Sequence, residues 1–156
     1  MAEIVEATTS RVAAVTGPVY ILLFPIPVVC FIGALLTDLV YSGNAVLQWL
    51  FFSEWLIAAG LVFGLLAAIA ALVELIAAEP LRSNIFGWGH VFLFYAALIV
   101  ELFNALVHSV DGWTAVVPTG LILSIVGSIL ALAAVATIFL VPVAWVPTRE
   151  VRRAVR

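Results

Sequence analysis

The sequence predicts an all-α membrane protein, a polytopic bundle of four transmembrane helices. Three observations lead to this prediction: the apolar composition, the placement of the charges, and the length of the uncharged stretches. Of the 156 residues, 66% are hydrophobic and the mean hydropathy is +1.31, whereas apolar residues make up about half of a soluble domain. Only 10% of the residues are charged, and most of them lie in the tails and short connections. Lipid is therefore the expected solvent for most of the chain.

Four stretches reach the roughly 20 apolar residues that a helix needs to cross about 30 Å of hydrocarbon. They cover approximately residues 18–40, 50–76, 88–107 and 119–145. Backbone amides find no water inside a bilayer, so each stretch is expected to be a helix; a barrel would need many shorter strands. We interpret residues 1–156 as a single transmembrane domain that ends in a basic tail, 148–156.

The basic residues predict the orientation. All six are arginines, and they precede the first stretch, separate the second from the third, and follow the fourth: Arg11, Arg82, Arg149, Arg152, Arg153 and Arg156. Four crossings put these three segments on one side, which the positive-inside rule makes cytoplasmic. Both termini are therefore expected in the cytoplasm, and the arginine-rich tail is expected to attract anionic lipid. The small net charge of −3 favours no nucleic-acid partner.

The third stretch carries a row of polar residues: His90, Glu101, Asn104 and His108. At 100° per residue the four lie within about 60° of one another, and the two histidines are about 27 Å apart along the axis. Ionisable residues at this depth are costly and indicate a functional site by default. We therefore take all four as candidate cofactor-binding residues. The alternative is a structural row that faces the bundle centre and bonds to Ser124, Ser128 or Thr137. In either case Glu101 is expected to be neutral or paired.

Further acidic residues lie nearer the predicted membrane boundaries. One group is expected at the outer boundary and contains Asp38, Glu54, His108 and Asp111. The other is expected at the inner boundary and contains Glu74, Glu79, Arg82 and His90. Each group is more typical of an interfacial hydrogen-bond cluster than of a metal site, and the sequence identifies no metal.

Motifs of enzyme chemistry are not found: the sequence has no nucleophile elbow, phosphate-binding loop, paired-cysteine site or zinc-protease motif. A non-enzymatic role is therefore expected, with no catalytic residues. The Glu-x-x-His pairs of a di-metal bundle are missing as well. The only two histidines lie on one helix, so haem would need a ligand from outside this chain or a non-histidine ligand.

Short motifs in three of the helices resemble a known family. They are Phe24-Pro25-Ile26, Thr37-Asp38-Leu39, Ala71-Leu72-Val73-Glu74, and His90 with Asn104. They are similar to motifs of the small bacterial membrane proteins grouped as domain of unknown function 2231. The chain departs from that pattern where Gly17-Pro18 replaces a frequent His-Pro and where Glu74 replaces an aspartate. The resemblance implies a bacterial inner-membrane protein with the size and helix count of a compact b-type cytochrome module.

Two functional hypotheses follow. In the first, the protein is a non-enzymatic inner-membrane subunit that docks to a redox assembly, or positions a cofactor in one; other membrane subunits or further copies of the chain would be its partners. In the second, it is a minimal conduit in which the polar row of the third helix carries protons or a small solute. No internal repeat supports an autonomous transporter, and we favour the subunit.

The predicted orientation can be tested with reporter fusions. A reporter placed after Arg156 should be active only as a cytoplasmic reporter, because the arginine-containing segments are retained on that side. A reporter inserted near Asn44 or Gly112 should report the periplasm. The opposite pattern would overturn the orientation.

Overall fold

The computed structural model describes residues 17–77, 85–110 and 112–140, and these residues form no strand. Four long helices and one short helix follow one another along the chain: α1 (Pro25–Asn44, preceded by helical residues 17–23), α2 (Leu47–Ala77), α3 (Ile85–His108), α4 (Trp113–Val116) and α5 (Thr119–Leu140). Four segments are long and apolar enough to cross a membrane: Gly17–Asn44, Leu47–Ile76, Gly87–His108 and Trp113–Ile138. The predicted all-α bundle of four membrane helices is confirmed.

Several sequence-based predictions fall outside the described residues. They concern all six arginines, Glu79, Asp111, the tail 148–156 and the end of the fourth predicted stretch near residue 145. The orientation that the arginines indicate therefore stays a prediction.

The four long helices form a ring in which each helix packs against two neighbours. α1 packs against α2 and α5, and α3 packs against α2 and α5. α1 and α3 therefore face each other across one diagonal, with α2 and α5 across the other. A short connection explains why α1 and α2 are antiparallel neighbours. Ala45 adopts a positive φ of 55° there, and its amide donates to the carbonyl of Tyr41 at 2.7 Å.

Small residues let the helices approach closely inside this ring. A Cβ built on Gly60 would meet the ring of Phe31 on α1, and one built on Gly64 would meet Leu98 on α3. Close packing of this kind holds helices together in lipid, where burial of apolar surface provides little drive. The small-residue faces, Gly60 and Gly64 on α2 and Gly120 and Gly127 on α5, are thus used within the bundle.

The helix of the first membrane segment continues past its prolines. Phe24 has right-handed helical dihedrals, and its amide donates to the carbonyl of Tyr20 at 2.8 Å. Pro25 then begins α1, and because it has no amide hydrogen to donate to the carbonyl of Ile21, one backbone hydrogen bond of the helical path is missing at this point. The helical path from residue 17 still carries Tyr20 into the same bundle as Asp38.

The short helix α4 closes one end of the bundle. Its Ala115 and Val116 are fully buried and pack with Tyr41 and Leu50. A Cβ on Gly120 would meet the carbonyl oxygen of Ala115 and the ring of His108. α4 therefore lies directly over the polar residues at this end and excludes water from them.

Candidate functional site

A single buried carboxylate, that of Asp38 on α1, connects all four long helices. Ser53 of α2 donates to its Oδ1 at 2.5 Å, and Nε2 of His108 on α3 lies 3.0 Å from the same oxygen. Ser124 of α5 donates to Oδ2 at 2.5 Å. Asp38 and its three partners are each at most 1% exposed. Three hydrogen-bonding partners offset much of the cost of burying this carboxyl group.

His108 holds its ring between two acceptors. Nδ1 lies 3.0 Å from the backbone oxygen of Asn104, and Nε2 faces Asp38. A carbonyl oxygen can only accept, so Nδ1 carries a hydrogen. The second contact then needs one more proton, either on Nε2 or on the Asp38 carboxyl. The His108–Asp38 pair is electrically neutral in both cases.

Asn104 extends this network towards Glu101. Its Nδ2 donates to Ser124 Oγ at 2.8 Å and to Glu101 Oε2 at 3.0 Å. Both side chains are fully buried, yet Glu101 Oε1 and Asn104 Oδ1 have no hydrogen-bond partner among the described residues. We call the whole group the Asp38 cluster; its members are Asp38, Ser53, Glu101, Asn104, His108 and Ser124.

A second group surrounds His90, and we call it the His90 cluster: Tyr20, Glu74, His90 and Thr137. His90 Nδ1 lies 2.8 Å from the backbone oxygen of Ala134 and 3.1 Å from Thr137 Oγ1, while Nε2 is hydrogen-bonded to the Tyr20 hydroxyl. The Ala134 carbonyl requires a hydrogen on Nδ1, and in the neutral ring Nε2 then accepts from the Tyr20 hydroxyl. Glu74 is buried and lies close enough to Tyr20 for their charges to interact.

An apolar layer separates the two clusters. Phe31 of α1, Phe94 and Ala97 of α3, and Ala131 of α5 are all fully buried in one hydrophobic core. On α3, this layer occupies the roughly 16 Å between His90 and Glu101. The polar row of the third helix is buried along its length, but it forms two separate groups.

Of the group predicted at the outer boundary, Asp38 and His108 are brought into direct contact. Glu54 is half-buried beside them, close enough to interact electrostatically with His108. Of the three proposed hydroxyl partners, Ser124 bonds to Asn104 and Thr137 to His90. Ser128 instead donates to the carbonyl of Phe31 at 3.2 Å.

Sequence reasoning missed Tyr20 and Ser53. Tyr20 lies near the start of the first predicted stretch, at the level expected for Glu74 and His90, and that placement was the available signal. Ser53 directly precedes Glu54, so it could have been assigned to the boundary level of Asp38.

The histidines, as they are bonded in this structure, do not fit ligation of a haem iron, for which the sequence already required a ligand from outside this chain or a non-histidine ligand. Both nitrogens of His90 and both nitrogens of His108 are bonded to groups of the same chain. A haem iron needs a ring nitrogen with a free lone pair. Among the described residues, no three His, Cys, Asp or Glu side chains are grouped to hold a metal ion.

Removal of the Asp38 carboxyl should destabilise the bundle strongly. Asp38→Ala leaves His108, Ser53 and Ser124 without their acceptor, and we expect a loss of about 3–5 kcal/mol in the free energy of unfolding. The double variant Asp38→Ala/His108→Ala should lose less than the sum of the two single changes, because the residues act as one pair. Unfolding in mixed detergent micelles measures this, with Ser109→Ala as the surface control because Ser109 is exposed. Additive losses would contradict the pairing.

Of the comparisons with known proteins, the one with family models gives a match, and it agrees with this architecture. No match is found among curated proteins or among solved structures. A family model described as "Predicted membrane protein (DUF2231)" matches residues 16–144. That range includes both polar clusters and all four membrane-spanning segments. The chain belongs to the DUF2231 family of predicted membrane proteins.

Proposed function

We propose that the protein is a non-enzymatic subunit of the bacterial inner membrane that docks to a larger redox assembly, or positions a cofactor in one. One observation carries the proposal: the histidine nitrogens and the Asp38 carboxyl are bonded to groups of the same chain. These groups hold the bundle together and leave no histidine nitrogen free to act on a substrate. A bundle whose polar groups are bonded internally in this way is suited to a scaffold role.

The outward-facing surface is the remaining region for docking. Large apolar side chains are exposed on every long helix and on the helical turn before α1; examples are Leu22 (74%), Trp55 (75%), Phe92 (72%) and Ile129 (60%). Lipid covers such a surface as readily as a protein partner does. Because the small-residue faces of α2 and α5 are used inside the bundle, a partner would pack against these bulkier side chains.

Site-directed photocrosslinking tests the docking proposal. A photoreactive residue at Phe92, which is 72% exposed, should form an adduct with a membrane protein that shows a reduced-minus-oxidised absorption difference after purification. Position 94 is the matched control, because Phe94 lies on the same helix but is fully buried and should form no such adduct. Adducts with lipid alone, or with further copies of the chain alone, at Phe92, Trp55 and Ile129 would contradict the redox assembly.

The conduit hypothesis receives less support. The apolar layer of Phe31, Phe94, Ala97 and Ala131 lies between the clusters. Asn104 also joins Glu101 to Ser124 through its amide nitrogen, and an amide is a poor proton carrier because it neither gains nor loses a proton readily at neutral pH.

We therefore expect the reconstituted protein to leave proton flux into liposomes at the level of protein-free vesicles. A pH-sensitive dye inside the vesicles measures this flux under an imposed potential. Proton entry that stops on Glu101→Gln, but persists in the Glu74→Gln control, would overturn this prediction and favour the conduit.

A further inference from the structure

Two buried acceptor atoms of the Asp38 cluster lack a hydrogen-bond donor among the described residues. Glu101 Oε1 and Asn104 Oδ1 are acceptors on neighbouring turns of α3, and both side chains are fully buried without a partner for these atoms among the described residues. The bond of 3.0 Å between Asn104 Nδ2 and Glu101 Oε2 holds the amide and the carboxyl side by side. Buried acceptors are almost always satisfied, so a species absent from the protein chain is expected here.

The same cluster also lacks one positive charge. The shared proton makes the His108–Asp38 pair neutral, so an ionised Glu101 would leave the cluster with a net charge of −1. An uncompensated charge at this depth is strongly disfavoured. A water molecule could donate hydrogens to both oxygens but would not remove the charge. A bound monovalent cation corrects both deficits.

The fold provides room for the Glu101 carboxyl group. Gly127 of α5 lies against it: a Cβ at that position would overlap Glu101 Oε1. The absence of a side chain at Gly127 therefore lets the carboxyl lie between α3 and α5, where Ser124 anchors Asn104.

We infer that the Asp38 cluster binds one monovalent cation, a proton or Na⁺, at Glu101 Oε1 and Asn104 Oδ1. A proton would bind covalently to the carboxyl, whereas Na⁺ would be held by the two oxygens. A divalent cation such as Ca²⁺ would replace the net charge of −1 with a net charge of +1, so it would not correct the charge deficit. This inference does not depend on docking to a redox assembly.

Other titratable groups act on Glu101 from the surrounding helices. Asp38 of α1 and His108 of α3 are close enough to interact with it electrostatically. Glu54 of α2 in turn interacts with His108. On α5 the neighbours are Gly127 and Ser124, which do not titrate. A pH effect must therefore be compared between the wild type and a Glu101 variant.

Cation-dependent stability of the full chain in mixed detergent micelles tests the inference. If Na⁺ is the occupant, the folded-to-unfolded ratio should rise about tenfold for each tenfold increase of Na⁺ above its dissociation constant, with choline as the inert replacement. If a proton is the occupant, Na⁺ should have no effect. The ratio should instead rise as the pH falls, and the infrared spectrum at neutral pH should contain a protonated-carboxyl band.

Glu101→Gln keeps the size of the side chain and supplies its own hydrogen donor, so it should fold and lose the Na⁺ dependence, or else the infrared band. Glu74→Gln removes the buried carboxyl of the His90 cluster and should retain the Glu101 signal. The infrared band and the Na⁺ dependence of the wild type can be measured even if Glu101→Gln does not fold. A wild type with neither signal, or signals unchanged by Glu101→Gln, would overturn the inference.

Discussion

The bundle depends most on the hydrogen bonds of the Asp38 carboxyl group, because they join it to a side chain from each of the other three long helices. In lipid, helices gain little from burying apolar surface against one another, so close packing and interhelical hydrogen bonds carry the association. A carboxyl group buried in this position needs donors, since burial without them carries a large cost in free energy. The positions of Ser53, His108 and Ser124 along the bundle axis are therefore fixed relative to Asp38.

The two histidines connect the same two membrane segments at two positions along the bundle axis. Each extends from α3 across the bundle diagonal to the first membrane segment, His108 to Asp38 and His90 to Tyr20. The helices on this diagonal are too far apart for direct backbone packing, and imidazole rings fill the gap while remaining hydrogen-bonded. Because the apolar layer lies between the levels, protonation at one level has little influence on the other.

The length and apolarity of the four stretches were sufficient to predict the fold, and the 3.6-residue period was sufficient to place Glu101 and Asn104 on one face. The division into two clusters was not predictable from α3 alone. The division depends on Tyr20, Ser53 and Ala134. Their positions along the bundle axis are set by the axial offset of the other helices relative to α3. Small residues such as Gly60 and Gly127 do not by themselves show where the helices pack, since they fit contacts within the bundle and contacts between subunits equally well.

The bonding of the histidines also constrains how the chain could take part in redox chemistry. To bind a metal, His108 would have to leave Asp38, and the buried carboxyl would then lose one of its three partners. His90 would likewise have to leave the Tyr20 hydroxyl. Each exchange replaces a satisfied contact with an unsatisfied buried group, which opposes cofactor binding in the bundle centre. Under the proposed subunit role, a cofactor would therefore be held by the partner and not by the histidines of this bundle.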